Sequence, residues 1–348
     1  MRIKLDKIAS STRNIPLDKE VQISPDIISQ EGYIVAAKVL ARKDIYNELE
    51  DVHGRMLKIQ EGDYIAGVLG SRKALRGYAG YVPETINVGD ILELLNLGGV
   101  IGKCNSQSES IGSAIPVEIL GAVLTFPSIE ERIGIPAHIG KGSIPWSESL
   151  AYSPPIIFVS GTCMHTGKTT ACSEIIRELT HRGHRVAGAK LTGVSLLRDS
   201  LRMQDCGAIK SFNFTDAGLA STGDKHVVKV AKGIIQALAK WEPSVIVAEL
   251  GDGIAGEYGV CEILKDAELM SFAKAHVLCA SDPVASFGAK HFFKEQFNQD
   301  ITVMTGPVTD NDVGINYISN HLGIPSWNAR LSHKQMTDFL EKKVFESA

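Results

Sequence analysis

The sequence predicts an α/β protein: a parallel sheet with flanking helices, preceded by a smaller, mostly β, barrel-like domain. Two changes of pattern predict this. Between Tyr33 and Thr125 the apolar stretches are short, rich in Val, Ile and Tyr, and split by Gly-rich turns, which suits strands and hairpins. After Pro155 short apolar strands alternate with helical segments, the pattern of βαβ crossovers and a buried parallel sheet. The 348 residues favour two domains over one, with expected bounds of 1–126 (β domain), 127–153 (linker) and 154–348 (α/β domain).

In the first half the expected strands are YIVAAKVLA (33–41), RMLKI (55–59), YIAGVLG (64–70), DILELLN (90–96), GGVIGKC (98–104) and VEILGAVLTF (117–126). Turn signals such as Glu61-Gly62-Asp63 and Val88-Gly89-Asp90 separate them at hairpin-like intervals. Only KDIYNELEDV (43–52) reads as helical. Residues 127–153 mix Pro, Gly and Ser without a clear period, as a linker does.

In the second half the strand IIFVSG (156–161) leads to a helix from about Gly167 to Arg182, closed by Gly183. Further strands are expected at 186–191, 245–250, 276–280, 301–306 and, briefly, 325–329. Helices are expected near 226–241, 266–274, 285–297, 312–322 and 332–344.

Composition narrows the function. Forty-four per cent hydrophobic residues exclude disorder as the dominant state, and a net charge of −4 gives no global attraction to nucleic acid or anionic membrane. No nucleic-acid or membrane partner is therefore expected. No apolar run approaches the ~18–20 residues that span a bilayer, and the N-terminal segment has no secretory h-region. Six cysteines without a C-x-x-C pair read as free thiols in a reducing, cytoplasmic setting, with no zinc site.

The segment Gly161-Thr162-Cys163-Met164-His165-Thr166-Gly167-Lys168-Thr169 matches G-x-x-x-x-G-K-[ST] between a strand and a helix. Its glycines let successive N–H groups turn inward on phosphate oxygens, and the helix N-terminus adds positive potential. Gly161, Thr162, His165, Thr166, Gly167, Lys168, Thr169 and Thr170 are the expected cofactor-binding set. Lys168 is placed to reach the terminal phosphates and Thr169 to ligate Mg²⁺.

A second acid should help hold the metal. Glu249 ends an apolar strand, where an unpaired carboxylate is costly; Asp216, in FNFTDAGLAST, serves equally as an Asx-turn or helix cap. Lys190 ends another strand, where open α/β sheets place ligands, so Lys168, Lys190 and Glu249 are the candidate catalytic residues. A surface lysine at a strand exit is the plain alternative for Lys190. Arg198 and Arg202, with Asp199 beside them, form an anion clamp or a solvated helix face. Arg72, Lys73 and Arg76 form a basic turn, Cys163 faces inward, and Asp282 and Ser286 follow a strand end.

The run GT-x-x-x-x-GKTT, the helix ending in RGHRVAGAK and the Gly-rich loop after AEL resemble the dethiobiotin synthetase and cobyrinic acid synthase branch of P-loop enzymes. Thr162 stands where many SIMIBI-class relatives carry a signature lysine, which dethiobiotin synthetases also lack. The loop ELGDGIAGEYG departs from their E-G-A-G-G. The second half is also similar to the P-loop family that includes D-glutamate N-acetyltransferases, through Lys190-x-Thr192-Gly193, Asp205-x-Gly207-Ala208 and Asp216-x-Gly218.

The first resemblance implies ATP and Mg²⁺ and the activation or phosphorylation of a small carboxylate or amino-acid-like metabolite. The second implies an acyltransferase whose loop binds the diphosphate of acetyl-CoA. A nucleotide-switched binding protein is a third reading. Dimerisation is common among such proteins, so a homo-oligomer is the expected assembly.

Overall fold

The computed structural model describes residues 1–127 and 133–346. The chain divides into two compact units that interleave in sequence. A β-rich unit comprises residues 1–144, 194–198 and 214–221, and a second unit comprises 145–193, 199–213 and 222–348. The expected bounds were contiguous; the two excursions, 194–198 and 214–221, lie inside the stretch assigned to the α/β domain. Of the expected linker, 128–132 lies outside the described residues. Ile135–Pro136 pairs with Leu124–Thr125 in the β-rich unit.

In the β-rich unit, five strands close on themselves. Ile115–Thr125 pairs with Ile34–Val39, which pairs with Tyr64–Leu69, which runs parallel to Val100–Gln107; Ile91–Leu94 bridges that strand back to Ile115–Thr125. The ring follows from alternation. Val35, Ala37 and Val39, then Ile65 and Leu69, Leu92 and Leu94, and Val117 and Ile119 pack into one core, as a period of two demands. The opposite face is also covered. Ile34, Ala36, Ala66 and Val68 pack with Leu5, Val21, Ile23 and Ile139 in a second cluster. Double burial explains why these strands read as near-continuous apolar runs.

The helix expected over 43–52 is instead partly a strand, Glu48–Glu50, paired antiparallel with Met56–Lys58. Its charged spacing suited a helix, but Asp51 Oδ1 accepts from the N–H groups of His53 and Arg55 and turns the chain into a hairpin. Leu49 and Glu50 are buried.

The second unit holds a six-stranded, all-parallel sheet. Its strands are β1 (Ile156–Gly161), β2 (Val186–Thr192), β3 (Lys210–Asn213), β4 (Val245–Leu250), β5 (Ala273–Cys279) and β6 (Val303–Thr305), in the order β3-β2-β4-β1-β5-β6. Helix α1 (Lys168–His181) buries Ala171, Cys172, Ile175, Ile176 and Leu179 against Ile157, Val159, Val245 and Val247, the i, i+4 spacing of one helix face.

The remaining helices are α2 (Arg198–Asp205), α3 (Val227–Ala239), α4 (Val260–Lys265), α5 (Ala267–Ser271), α6 (Pro283–Phe297), α7 (Asp312–Tyr317) and α8 (His333–Glu341). Strand β3 and helix α4 were not expected, both being short. The expected strand at 325–329 is a single bridge between Met304 and Ser326. All six cysteines are free, and no helix among the described residues is long and apolar enough to cross a membrane.

Candidate functional site: the phosphate loop and its buried carboxylate

Strand β1 lies between β4 and β5 and is buried throughout. The loop 161–167 therefore leaves the sheet at the carboxyl ends of the central strands, where ligands of open α/β sheets bind. Two contacts pin its base: Thr162 N–H donates to Cys279 O, and Ile254 N–H donates to Gly161 O, both at 2.9 Å. A Cβ on Gly161 would come within 2.4 Å of Thr166 Oγ1 and 3.1 Å of Cys279 O, so any side chain here would force the loop to shift. Gly167 turns at φ +90° immediately before α1, a conformation that glycine adopts without strain.

Inside the loop, Lys168 Nζ donates to Cys163 O at 2.7 Å and Thr166 Oγ1 to the same oxygen at 2.9 Å. Lys168 is buried. Burial lowers its pKa, with Glu249 pulling the other way.

Glu249 is the centre of the arrangement. It is 1% exposed, and its Oε1 accepts from Thr169 Oγ1 at 3.0 Å. Lys190 stands beside it in the β2–β4 register, with Nζ 3.5 Å from Oε1. Glu249 Oε2 is buried without a hydrogen-bond partner. Lys190 also pairs with Asp199 of α2. Burial pulls the Lys190 pKa down, but Asp199 and Glu249 outweigh it, so the ammonium titrates above its ordinary range. Three of the residues expected to act together, Thr169, Lys190 and Glu249, are thus in one hydrogen-bonded and ion-paired row.

Glycine also shapes the loop after β4, where a Cβ on Gly253 would lie 2.7 Å from Thr162 O. Thr170 and His165 line a cavity of about 200 Å³ with Thr305, Gly306, Pro307, Asp310, Asn328, Ala329 and Arg330.

Other expected residues have different surroundings. Asp216 belongs to the β-rich unit, where Arg13 approaches its Oδ1 through both Nη2 (2.8 Å) and Nε (3.0 Å). Arg198 and Arg202 are exposed, as a solvated helix face requires, while Asp199 between them turns to Lys190. Arg72 is buried, donating to Tyr46 OH at 2.9 Å and to Leu95 O. Cys163 Sγ donates to Met164 O at 3.2 Å. Asp282 caps α6 by accepting from Ala285 N–H, and Ser286 Oγ donates to Asp282 O, both at 2.9 Å.

The pairing of Asp199 with Lys190 was not read from sequence, since nine residues and a change of element separate them. The cavity lined by Asp310 and Asn328 was also missed; Gly306 directly after β6 was its one signal.

No known family profile matches the chain, and no curated protein matches it. Among solved structures, chloroplast FtsY from Physcomitrella patens is similar at 13% identity and a TM-score of 0.40, over 54% of this chain and 65% of that one. The chain thus spans just under two thirds of that protein's length. FtsY from Thermotoga maritima is similar at 18% identity and a TM-score of 0.39, over 57% of this chain and 71% of that one. Hydrogenase maturation factor HypB from Archaeoglobus fulgidus is similar at 13% identity and a TM-score of 0.35, over 55% of this chain and 90% of that one.

Proposed function

We propose that this chain binds a nucleoside triphosphate with Mg²⁺ at loop 161–170 and uses it to phosphorylate the carboxylate of a small metabolite. The observation that carries the reading is Glu249 Oε2, a buried carboxylate oxygen with no partner at the carboxyl end of a central strand, hydrogen-bonded through its other oxygen to the loop's Thr169. A buried acceptor left unmatched is costly unless a ligand completes it. Among the described residues no group of three or more His, Cys, Asp or Glu side chains could hold a metal alone. Thr169 and Glu249 suit Mg²⁺, which binds through one or two protein oxygens together with substrate phosphates. When bound, the ion would neutralise charge on the phosphates.

The chain's own residues supply the rest. Loop N–H groups and the start of α1 hold phosphate oxygens, and Lys168 leaves Cys163 O for the terminal phosphate. A carboxylate oxygen of the acceptor attacks the γ-phosphorus, the bond from that phosphorus to the bridging oxygen breaks, and the nucleoside diphosphate departs with the electron pair. Lys190 holds the anionic acceptor and stabilises charge during transfer, through positioning and electrostatics. Asp199 and Glu249 keep it protonated.

Thermal-shift titration with ATP, GTP and acetyl-CoA, each with and without Mg²⁺, tests the binding step. A nucleoside triphosphate with Mg²⁺ should stabilise the protein by ~2.7 kcal/mol at a hundredfold excess over Kd. Stabilisation by acetyl-CoA alone would instead select the acyltransferase reading. The transfer step predicts nucleoside diphosphate release that depends on an added carboxylate.

A further inference from the structure

The β-rich unit buries a cation that has no anion beside it. Arg72 is 4% exposed, and a guanidinium carries five N–H groups to satisfy. Nη1 donates to Tyr46 OH at 2.9 Å and to Leu95 O. Nε is buried without a partner. Among the described residues Nη2 makes no hydrogen bond and no carboxylate pairs with Arg72. We propose that this unit binds a small carboxylate on the Nε–Nη2 edge of Arg72. The site lies wholly within the β-rich unit and does not depend on the nucleotide reading.

The groups around Arg72 do not neutralise it. Its Cζ lies 5.7 Å from the Tyr46 ring centroid and 5.9 Å from that of Tyr78. Burial pushes the Tyr78 phenol up to about 12 and raises the Cys104 thiol, so neither supplies a negative charge at neutral pH. Lys43 adds a second cation. Its Nζ donates to Tyr78 OH and Ser113 O, both at 2.6 Å, and to Ile111 O, three neutral oxygens. Glu93 is committed elsewhere, accepting from Lys103 Nζ at 3.1 Å and from Cys104 N–H at 2.8 Å. An ionised side chain taken out of water is costly unless an opposite charge joins it.

Two turns hold the guanidinium in place. Tyr46 adopts φ +60°, a conformation that a bulky side chain takes only under constraint, and its OH fixes Nη1. At Gly77 a Cβ would come within 2.7 Å of Nη2, so glycine lets the backbone close on the arginine. With Nη1 engaged, the N–H groups of Nε and Nη2 remain side by side along one edge. Two parallel N–H groups match the two oxygens of a carboxylate. One negative charge also answers the one arginine, since Lys43 has all three N–H groups in use. A phosphate dianion would bring a second charge and further oxygens for which Arg72 has no N–H left.

The test uses the full chain labelled with ¹⁵N at arginine, with the Arg72 Nε–H signal identified by its NOEs to the Tyr46 and Tyr78 rings. Sodium acetate should move that signal saturably, whereas sodium chloride at equal ionic strength should not. The response should persist in a Lys168→Ala chain, which separates it from the phosphate loop. Arg72→Lys keeps the charge but has no fork, and should weaken acetate about tenfold in thermal-shift titrations. A signal that acetate leaves in place, or that chloride moves equally, overturns the site; this reading needs no variant at Arg72. An unchanged acetate response in Arg72→Lys overturns the bidentate edge. Tighter saturation by inorganic phosphate than by acetate overturns the carboxylate assignment.

Discussion

Glu50, the last residue of the strand Glu48–Glu50 in the β-rich unit, and Glu249, next to last in β4 of the P-loop unit, are both buried carboxylates, and they differ in what their oxygens touch. Glu50 is fully committed: Ser10 Oγ and Leu197 N–H donate to Oε2, the latter at 2.6 Å, and Arg198 N–H donates to Oε1 at 2.7 Å. Glu249 has one oxygen bonded to Thr169 and one with no partner. Equal burial therefore says little about role. A satisfied carboxylate stitches a loop to a barrel, whereas an unsatisfied one carries an uncompensated desolvation cost, which is what the proposed ligand would relieve.

The largest effect that could break this contrast is at the loop. Lys168→Ala should abolish nucleotide binding, erasing the ~2.7 kcal/mol stabilisation expected at a hundredfold excess of ligand. A normal thermal shift in that variant would remove the loop from the site. Next in size, Glu50→Ala leaves the buried Ser10 hydroxyl and the N–H groups of Leu197 and Arg198 without their acceptor and should destabilise the protein by about 2–4 kcal/mol, measured by urea unfolding. A change below about 1 kcal/mol would show that Glu50 is not the structural anchor that its contacts describe.

The P-loop unit should also lose stability in acid. His276 lies between Phe158 and Phe293, and burial lowers its pKa to about 4. The folded state then binds fewer protons than the unfolded state between about pH 6.5 and 4. Stability should consequently fall through that window as the pH drops, by up to about 3 kcal/mol near its lower end. His276→Phe should flatten this slope in urea titrations at several pH values.

Smaller still, Glu249→Gln should weaken nucleotide binding about tenfold in Mg²⁺ and leave binding in EDTA nearly unchanged. Calorimetry with and without the metal reads the difference. Asp216→Asn is the counterpart in the β-rich unit. With Arg13 as its partner it should cost about 1 kcal/mol of stability and leave the Mg²⁺ dependence as it was. Loss of that dependence would return Asp216 to the metal.

Much of the fold was legible because local and tertiary demands agreed. The strands at 34–39, 64–69 and 115–125 lie in stretches rich in β-formers, and helix α1 carries a phosphate loop at one end and Gly183 at the other. Misreadings fell where local cues competed. The segment 43–52 has helix-like charge spacing, yet Asp51 satisfies two backbone N–H groups and favours a turn. Strand β3 has only four residues, too few for a period to show.

The site divides in the same way. Gly161, Gly167, Lys168 and Thr169 stood out from sequence alone because the phosphate-loop pattern G-x-x-x-x-G-K-[ST] is carried by one short run of chain. The roles of Glu249, Lys190 and Asp199 were decided by tertiary structure, because a carboxylate's meaning depends on which donors reach it. Only the parallel register set Lys190 beside Glu249, and only the path of α2 brought Asp199 to them. Asp216 shows the converse: a plausible acid in sequence, it is paired in the structure with an arginine 203 residues away.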